Sequence, residues 1–495
     1  MSKFADIHCH SGMHPFAFKI AGKPKNNNVW GYDPPKARQR KSKYPEYSQA
    51  DFTTMAKGGV KLIFISIYPI EQGWFDPDFI KEGLISDIAA RIISKVPVKY
   101  VNMVQSDDYD YFDFFHKEYH FLNEEDGRIH TIDGEDYKYV ILKPSDDIDS
   151  ILDQENAIGV IMSVEGAQTF ISGNATHIEG GTFDFDQMIR NIEAVKSWDH
   201  PPFFLSLSHH FYNGICGHAR SLPAQASKLL DQSVGLNEPI NSHGRKVIDC
   251  FLGIGDYAAN GQRILIDTKH LSVAARHEYY AKIKKFNQGK ADVNKIPLIV
   301  SHTGYSGHAS MAEAIARPDT DDEKYNDSDN FNNWSINLSD DEVIEIFNSN
   351  GIMGLNFDER ILSGKHTIDD YSARFKKKDI KKRTIEMQRF WTRQMIDNIL
   401  GIVGVVVRSD QVPQPEKAKI WNMLAIGTDF DGMINPEDAF ITSEEFADLR
   451  TLMLYLLPQQ DDIDNLLQGM SVEKVIGKFM YENAYEFAKM YYMNA

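Results

Sequence analysis

Five apolar runs in this sequence end in side chains that bind metal ions: Ala5-Asp-Ile-His8-Cys-His10, Ala157-Ile-Gly-Val-Ile-Met-Ser-Val-Glu165, Ile264-Leu-Ile-Asp-Thr-Lys-His270, Pro297-Leu-Ile-Val-Ser-His302 and Leu424-Ala-Ile-Gly-Thr-Asp429. Side chains two apart on a strand share a face, so His8 and His10 project together and Cys9 points away. Four imidazoles facing one cavity repel each other when protonated, and a divalent cation stabilises them in the neutral, ligating form. Glu165 and Asp429 add the negative charge that two cations need. A carboxylate can give one oxygen to each of two ions, which two-metal hydrolases hold ~3.5–4 Å apart. Glu165 is placed for that bridge. Asp429 is placed to hold one ion or take a proton from activated water. In Ser206-Leu-Ser-His209-His210 the alternation turns His209 toward the same cavity, as a donor to a substrate oxyanion, and turns His210 outward. Asp431, before Gly432, fits an Asx-turn. His14, His218 and His308 lie in loops and receive no role.

Elements must bring these ends together. Eight short runs read as buried parallel strands, continuous rather than alternating, near 4–8, 61–68, 157–165, 201–209, 263–269, 297–302, 351–357 and 423–429. Amphipathic patterns separate them, near 49–57, 83–95, 185–197, 244–259, 273–286, 339–350 and 386–402. The one at 339–350 carries a Ser339/Glu342 capping box, a Val343, Ile344 and Phe347 stripe, and a stop at Asn350-Gly351. Eight strands alternating with helices is the count of a TIM-like (β/α)8 barrel, whose sites lie at the strand C-termini. An open doubly wound sheet is the rival, but no Gly-rich phosphate loop follows an early strand.

Four segments exceed ordinary barrel loops: 15–47, 104–150, 305–335 and 358–385. Three follow strand ends and are expected to shape a lid; 104–150, with a hairpin pattern over Ile129–Ile141, is expected on the opposite face. Lys376, Lys377, Lys378, Lys381 and Lys382 read as a solvated face. Residues 440–495 read as helical and are expected to close the outer ring of a single barrel domain spanning 1–495.

Of the 495 residues, 42% are hydrophobic and 25% charged, with a net charge of −18. That balance argues against nucleic acid or an anionic membrane as partner. Three cysteines cannot build a disulfide framework. No apolar stretch is long enough for a spanning helix, and Met1-Ser-Lys-Phe runs straight into the first strand, so a cytoplasmic location is expected. A homodimer is left open.

Several short stretches, in order, resemble the membrane dipeptidase (renal dipeptidase) family of the amidohydrolase superfamily: Asp6-Ile-His-Cys-His10, Ser163-Val-Glu-Gly166, Leu205-Ser-Leu-Ser-His209, Ile266-Asp-Thr-Lys-His270, Ile299-Val-Ser-His302, Asn337-Leu-Ser-Asp340, Gly351-Ile-Met-Gly-Leu-Asn356 and Ile426-Gly-Thr-Asp-Phe-Asp-Gly432. Ile476-Gly477 and Glu482-Asn-Ala484 are similar to its closing helix. The resemblance implies a barrel holding two zinc ions. His8, His10, Glu165 and Asp429 would surround one ion, and Glu165, His270 and His302 would hold the other. It further implies a metal-bridging hydroxide attacking a dipeptide amide, Asp429 shuttling the proton, and His209 binding the substrate or stabilising the tetrahedral intermediate. Two positions depart from that family. His10 stands where it usually has aspartate, making the site more positive. Ile336 stands where it carries the arginine that pairs with the dipeptide carboxylate, which isoleucine cannot do. Lys269, Arg360 or Arg220 are the cations that could replace it. Other substrates therefore stay open (N-acyl amino acids, cyclic amides, lactones), as does a non-catalytic binding protein on the same barrel.

Overall fold

The computed structural model describes residues 2–31, 48–75, 96–173, 183–222, 230–258, 261–316, 330–376, 383–434 and 437–493. The eight apolar runs form strands β1 (Phe4–Cys9), β2 (Val60–Ile67), β5 (Ala157–Glu165), β6 (Phe204–Ser206), β7 (Leu265–Asp267), β8 (Ile299–Thr303), β9 (Ile352–Leu355) and β10 (Leu424–Ile426). They pair in that order, each parallel to the next. The first and last strands meet just past their ends. Asp429 N donates to the His8 carbonyl at 2.9 Å, and His10 N to the Phe430 carbonyl at 2.8 Å. The fold is a TIM-like (β/α)8 barrel, and every residue of β1, β5 and β8 is buried. Continuous apolar runs are what parallel strands covered on both sides require.

The Ile129–Ile141 pattern forms the antiparallel hairpin β3 (His130–Ile132) and β4 (Glu135–Ile141). Its turn is Asp133-Gly134, with φ 53° and 93°, both left-handed, the preference of a two-residue hairpin. Strand β4 pairs with the N-terminal half of β5, Lys138 beside Ala157, away from the strand ends that carry the ligand-type side chains. There it takes the edge that β6 occupies further along. The Tyr492 hydroxyl spans this exchange, donating to Leu142 O (3.0 Å) and Pro201 O (3.1 Å).

Helices Phe52–Gly58, Phe185–Val195, Ser242–Leu252, Val273–Asn287, Asp340–Asn348 and Ile385–Arg408 occupy the amphipathic segments. The Ser339/Glu342 capping box is formed. The buried face behind it is Glu342, Val343, Ile346 and Phe347. Ile346 takes the place expected for Ile344, because the barrel covers a stripe that turns with the helix. Of the Lys run, Lys376 is exposed and the rest lies outside the described residues, as does the 83–95 helix pattern. At the C-terminus, helix Val472–Gly477 passes through a π turn at Lys478–Glu482 into helix Asn483–Tyr491. Asn483 Nδ2 there caps the carbonyls of Trp421 and Leu424 at 2.8 and 2.7 Å.

Candidate metal centre

The five strand ends converge on Glu165. Its Oε1 lies 3.6 Å from His8 Nε2, 3.4 Å from His270 Nε2 and 3.8 Å from His302 Nε2. Its Oε2 lies 3.0 Å from His10 Nε2 and 3.5 Å from His209 Nε2. Asp429 closes the ring from β10, with Oδ1 3.4 Å from His10 Nε2 and 3.8 Å from His8 Nε2, and Oδ2 3.9 Å from His302 Nε2. Among the described residues, four groups have ligand atoms within 4.8 Å of one another; one is Glu165, His270 and His302, and another is His8, His10 and Asp429, the remaining expected set without Glu165. Glu165 lies between them, with Oε1 facing His8, His270 and His302 and Oε2 facing His10 and His209.

Local backbone explains part of the convergence. His270 and Asp429 adopt left-handed conformations, φ 65° and 61°. Such strain in non-glycine residues gathers at functional sites. Lys269 and His270 are both buried, at 1% and 4% exposure. Gly432 leaves room for Asp429: a Cβ there would come within 2.0 Å of Asp429 Oδ1 and 2.8 Å of His10 Cδ2.

Beneath the cluster, two buried aspartates tie neighbouring strands. Asp6 Oδ1 accepts from the amides of His8 (3.1 Å) and Thr428 (3.0 Å), locking β1 to β10. Burial raises its pKa to about 6 against those bonds. Asp267 accepts from the hydroxyls of Ser206 (3.0 Å) and Ser301 (2.6 Å) and from the amides of Lys269 and Ser301 (both 3.0 Å). Ser301 Oγ in turn lies 2.8 Å from His302 Nδ1, which leaves His302 Nε2 for the centre. Supports of this kind orient a ligating imidazole.

The electrostatics fit cations. Burial opposes charge on His10, but hydrogen bonds and charge from Asp429 and Glu165 outweigh it and push its pKa up to about 10. Burial and the neighbouring His209 push His270 down to about 3. Burial and His8 hold His302 well below the usual range. Burial disfavours charge on Glu165, yet the imidazoles of His209 and His8 hold it well below an ordinary carboxyl. Both ring nitrogens of His8, and Nδ1 of His10 and of His270, are buried without a hydrogen-bond partner among the described residues. Orphaned buried lone pairs are costly. Imidazoles that exchange their protons for a cation, set around carboxylates, are the donor set of zinc and related divalent ions, so the residues fit such an ion.

Other residues depart from expectation. His210 does not turn outward: its ring packs 3.8 Å from that of His209 and 5.2 Å from that of His270, with Nδ1 2.6 Å from Ser221 Oγ. The strand ladder ends at Ser206, so alternation no longer governs residues past it. Asp431 folds no Asx-turn; its Oδ2 accepts from Ser48 Oγ (2.9 Å) and Ala50 N (3.0 Å), anchoring the chain ahead of Phe52–Gly58. His218 is satisfied by the Ala219 and Val234 carbonyls, and His308 by that of Asn333. Ile336 is 2% exposed, in an apolar cluster with Ala219 and Trp334. The three substitute cations separate. Arg360 is paired with Asp358, Lys269 is buried inside the barrel, and the Arg220 guanidinium stacks 5.0 Å over the Trp334 ring. Glu71 was not singled out from sequence; it lies in the loop after β2 and contacts His209 Nδ1 at 2.6 Å.

No family model and no curated protein sequence matches the chain. Among solved structures it is similar to dipeptidase AC, a metallo peptidase, at 13% identity and TM-score 0.48 over 99% of both chains. It is similar to a metallo peptidase from Rhodobacter sphaeroides liganded with a phosphinate mimic of the dipeptide L-Ala-D-Ala, at 14% identity and TM-score 0.49, again over 99% of both. A third, the probable dipeptidase PvdM from Pseudomonas aeruginosa, has 14% identity and TM-score 0.47 over 100% of this chain and 95% of that one.

Proposed function

We propose that this protein is a metal-dependent hydrolase of the membrane dipeptidase kind, cleaving a dipeptide or related amide bond with two divalent ions, zinc foremost. The observation that carries this reading is the placement of Glu165 among five imidazoles and Asp429 at one end of the barrel. His8, His10 and Asp429 would hold one ion, His270 and His302 the other, with Glu165 shared. Ions of this type supply water with a pKa near ~7, and so a nucleophile at neutral pH. Asp429 has the most exposed side chain of the set, at 14%, and serves as the proton carrier between attacking water and leaving amine. His209 presents Nε2 toward the centre; with Nδ1–H on Glu71, its doubly protonated ring would donate from Nε2 to the carbonyl oxygen as charge develops there. The buried wall of the barrel excludes bulk water and strengthens each of these interactions.

A specific observation favours a second substrate class. Ile336 lies in an apolar cluster and offers no partner to a carboxylate. N-acyl amino acids, cyclic amides and lactones are therefore tested beside dipeptides. Purified protein should hydrolyse at least one amide on that panel, lose activity with a chelator and regain it with zinc. Undiminished turnover in metal-free protein, or no turnover of any panel member by the metal-loaded protein, would contradict the reading.

A further inference from the structure

Glu71 is a buried carboxylate, 3% exposed, outside every motif that suggested the metal site. It sits in the loop after β2 and reaches across to the loop after β6. Its Oε2 lies 2.6 Å from His209 Nδ1 and accepts from the Tyr68 hydroxyl at 2.9 Å. Its Oε1 accepts from Phe211 N at 3.1 Å, and His210 N approaches Oε2 at 3.4 Å. Tyr68 is held in turn by Trp74, whose Nε1 donates to its hydroxyl at 2.9 Å, and the Tyr68 ring stands edge-on to His209 at 4.7 Å. A carboxylate only accepts, so it selects the Nδ1–H form of the imidazole edge facing it. Flipping the His209 ring would set a C–H against Glu71 and turn Nε2 away from Glu165. The same carboxylate grips the two backbone amides that follow His209. Ring and backbone are therefore fixed from one point.

We infer that Glu71 is a positioning residue for His209, holding its Nε2 toward Glu165, so that the loop after β2 sets the geometry of the group that meets the reacting oxygen. The role in turnover rests on the function proposed above; the placement of the ring does not. An outer partner of this kind changes activity by ~10–100-fold when removed.

The test is a double-mutant cycle with Glu71→Ala, His209→Ala and the double variant, all metal-loaded, with Glu71→Gln as the smaller change should Glu71→Ala fold poorly. Expected for Glu71→Ala is a kcat lower by ~10–100-fold, KM within about threefold and unchanged metal content; in the His209→Ala background the same substitution should cost less than about twofold. An equal cost in both backgrounds would overturn the inference, as would parallel loss of kcat, metal and stability. A crystal structure of the zinc-loaded variant reads the ring without any substrate. His209 turned from Glu165 supports the inference even if no amide proves to be hydrolysed, which would remove only the functional reading. His209 unmoved would overturn it.

Discussion

At the scale of single residues, the centre depends on close approaches that leave little freedom. Gly432→Ala would place a methyl group within 2.0 Å of Asp429 Oδ1. Asp429 must then shift, and zinc affinity should fall on the order of 10–100-fold, read by competition with a chromophoric chelator. A variant with wild-type affinity would show that Asp429 is not a ligand. Glu118 offers a separate test that needs no substrate. It is fully buried against Gly12, and burial raises its pKa from 4.5 to about 8. A raised carboxyl pKa in the folded state contributes stability in full below about pH 4.5, and this is lost as pH rises to about 8. Glu118→Gln removes that titration. Urea midpoints of the variant should therefore decline less than those of wild type as the pH is raised across this window. Parallel curves would refute the assignment.

At the scale of elements, the strands deliver the candidate ligands and a buried ionic network holds the rim. Arg276 pairs with Glu342 at 2.5 Å and donates to the Ser335 carbonyl at 2.6 Å and to the Leu271 carbonyl at 2.9 Å. This ties the helix after His270 to the capped start of Asp340–Asn348. Removing one partner of a buried pair costs about 3–5 kcal/mol, so Arg276→Met should lower the denaturation midpoint well beyond a surface substitution. The strands themselves were legible because parallel strands buried on both faces must be continuous apolar runs, and polar side chains at their C-terminal ends stand out against them. The hairpin was legible from Asp133-Gly134. The paths of His270, Asp429 and His210 were not, since left-handed turns and the early end of β6 suspend the alternation that a pattern relies on. Glu71 was hidden for a different reason: a glutamate in a loop has no periodic signature, and its partner lies 138 residues further along the chain. The buried placement of Ile336 was also invisible, because it depends on Trp334 and Ala219 folding around it.

At the scale of the whole molecule, the barrel brings the ends of its first and last strands together, His8 beside Asp429. Among the described residues no helix is long and apolar enough to cross a membrane. Metal binding by residues from five strands should stabilise the entire barrel. A ligand at a hundred times its Kd adds about 2.7 kcal/mol, so chelation should lower Tm measurably and zinc should restore it. An unchanged Tm would mean that the centre holds no ion tightly. The most direct test of the central claim is a zinc titration of metal-free protein, with bound metal counted in wild type and Glu165→Gln. A shared carboxylate predicts two tightly bound equivalents per chain in wild type and weakened binding of both in the variant. Wild type that binds no zinc, or a Glu165→Gln variant that binds as tightly as wild type, would contradict it.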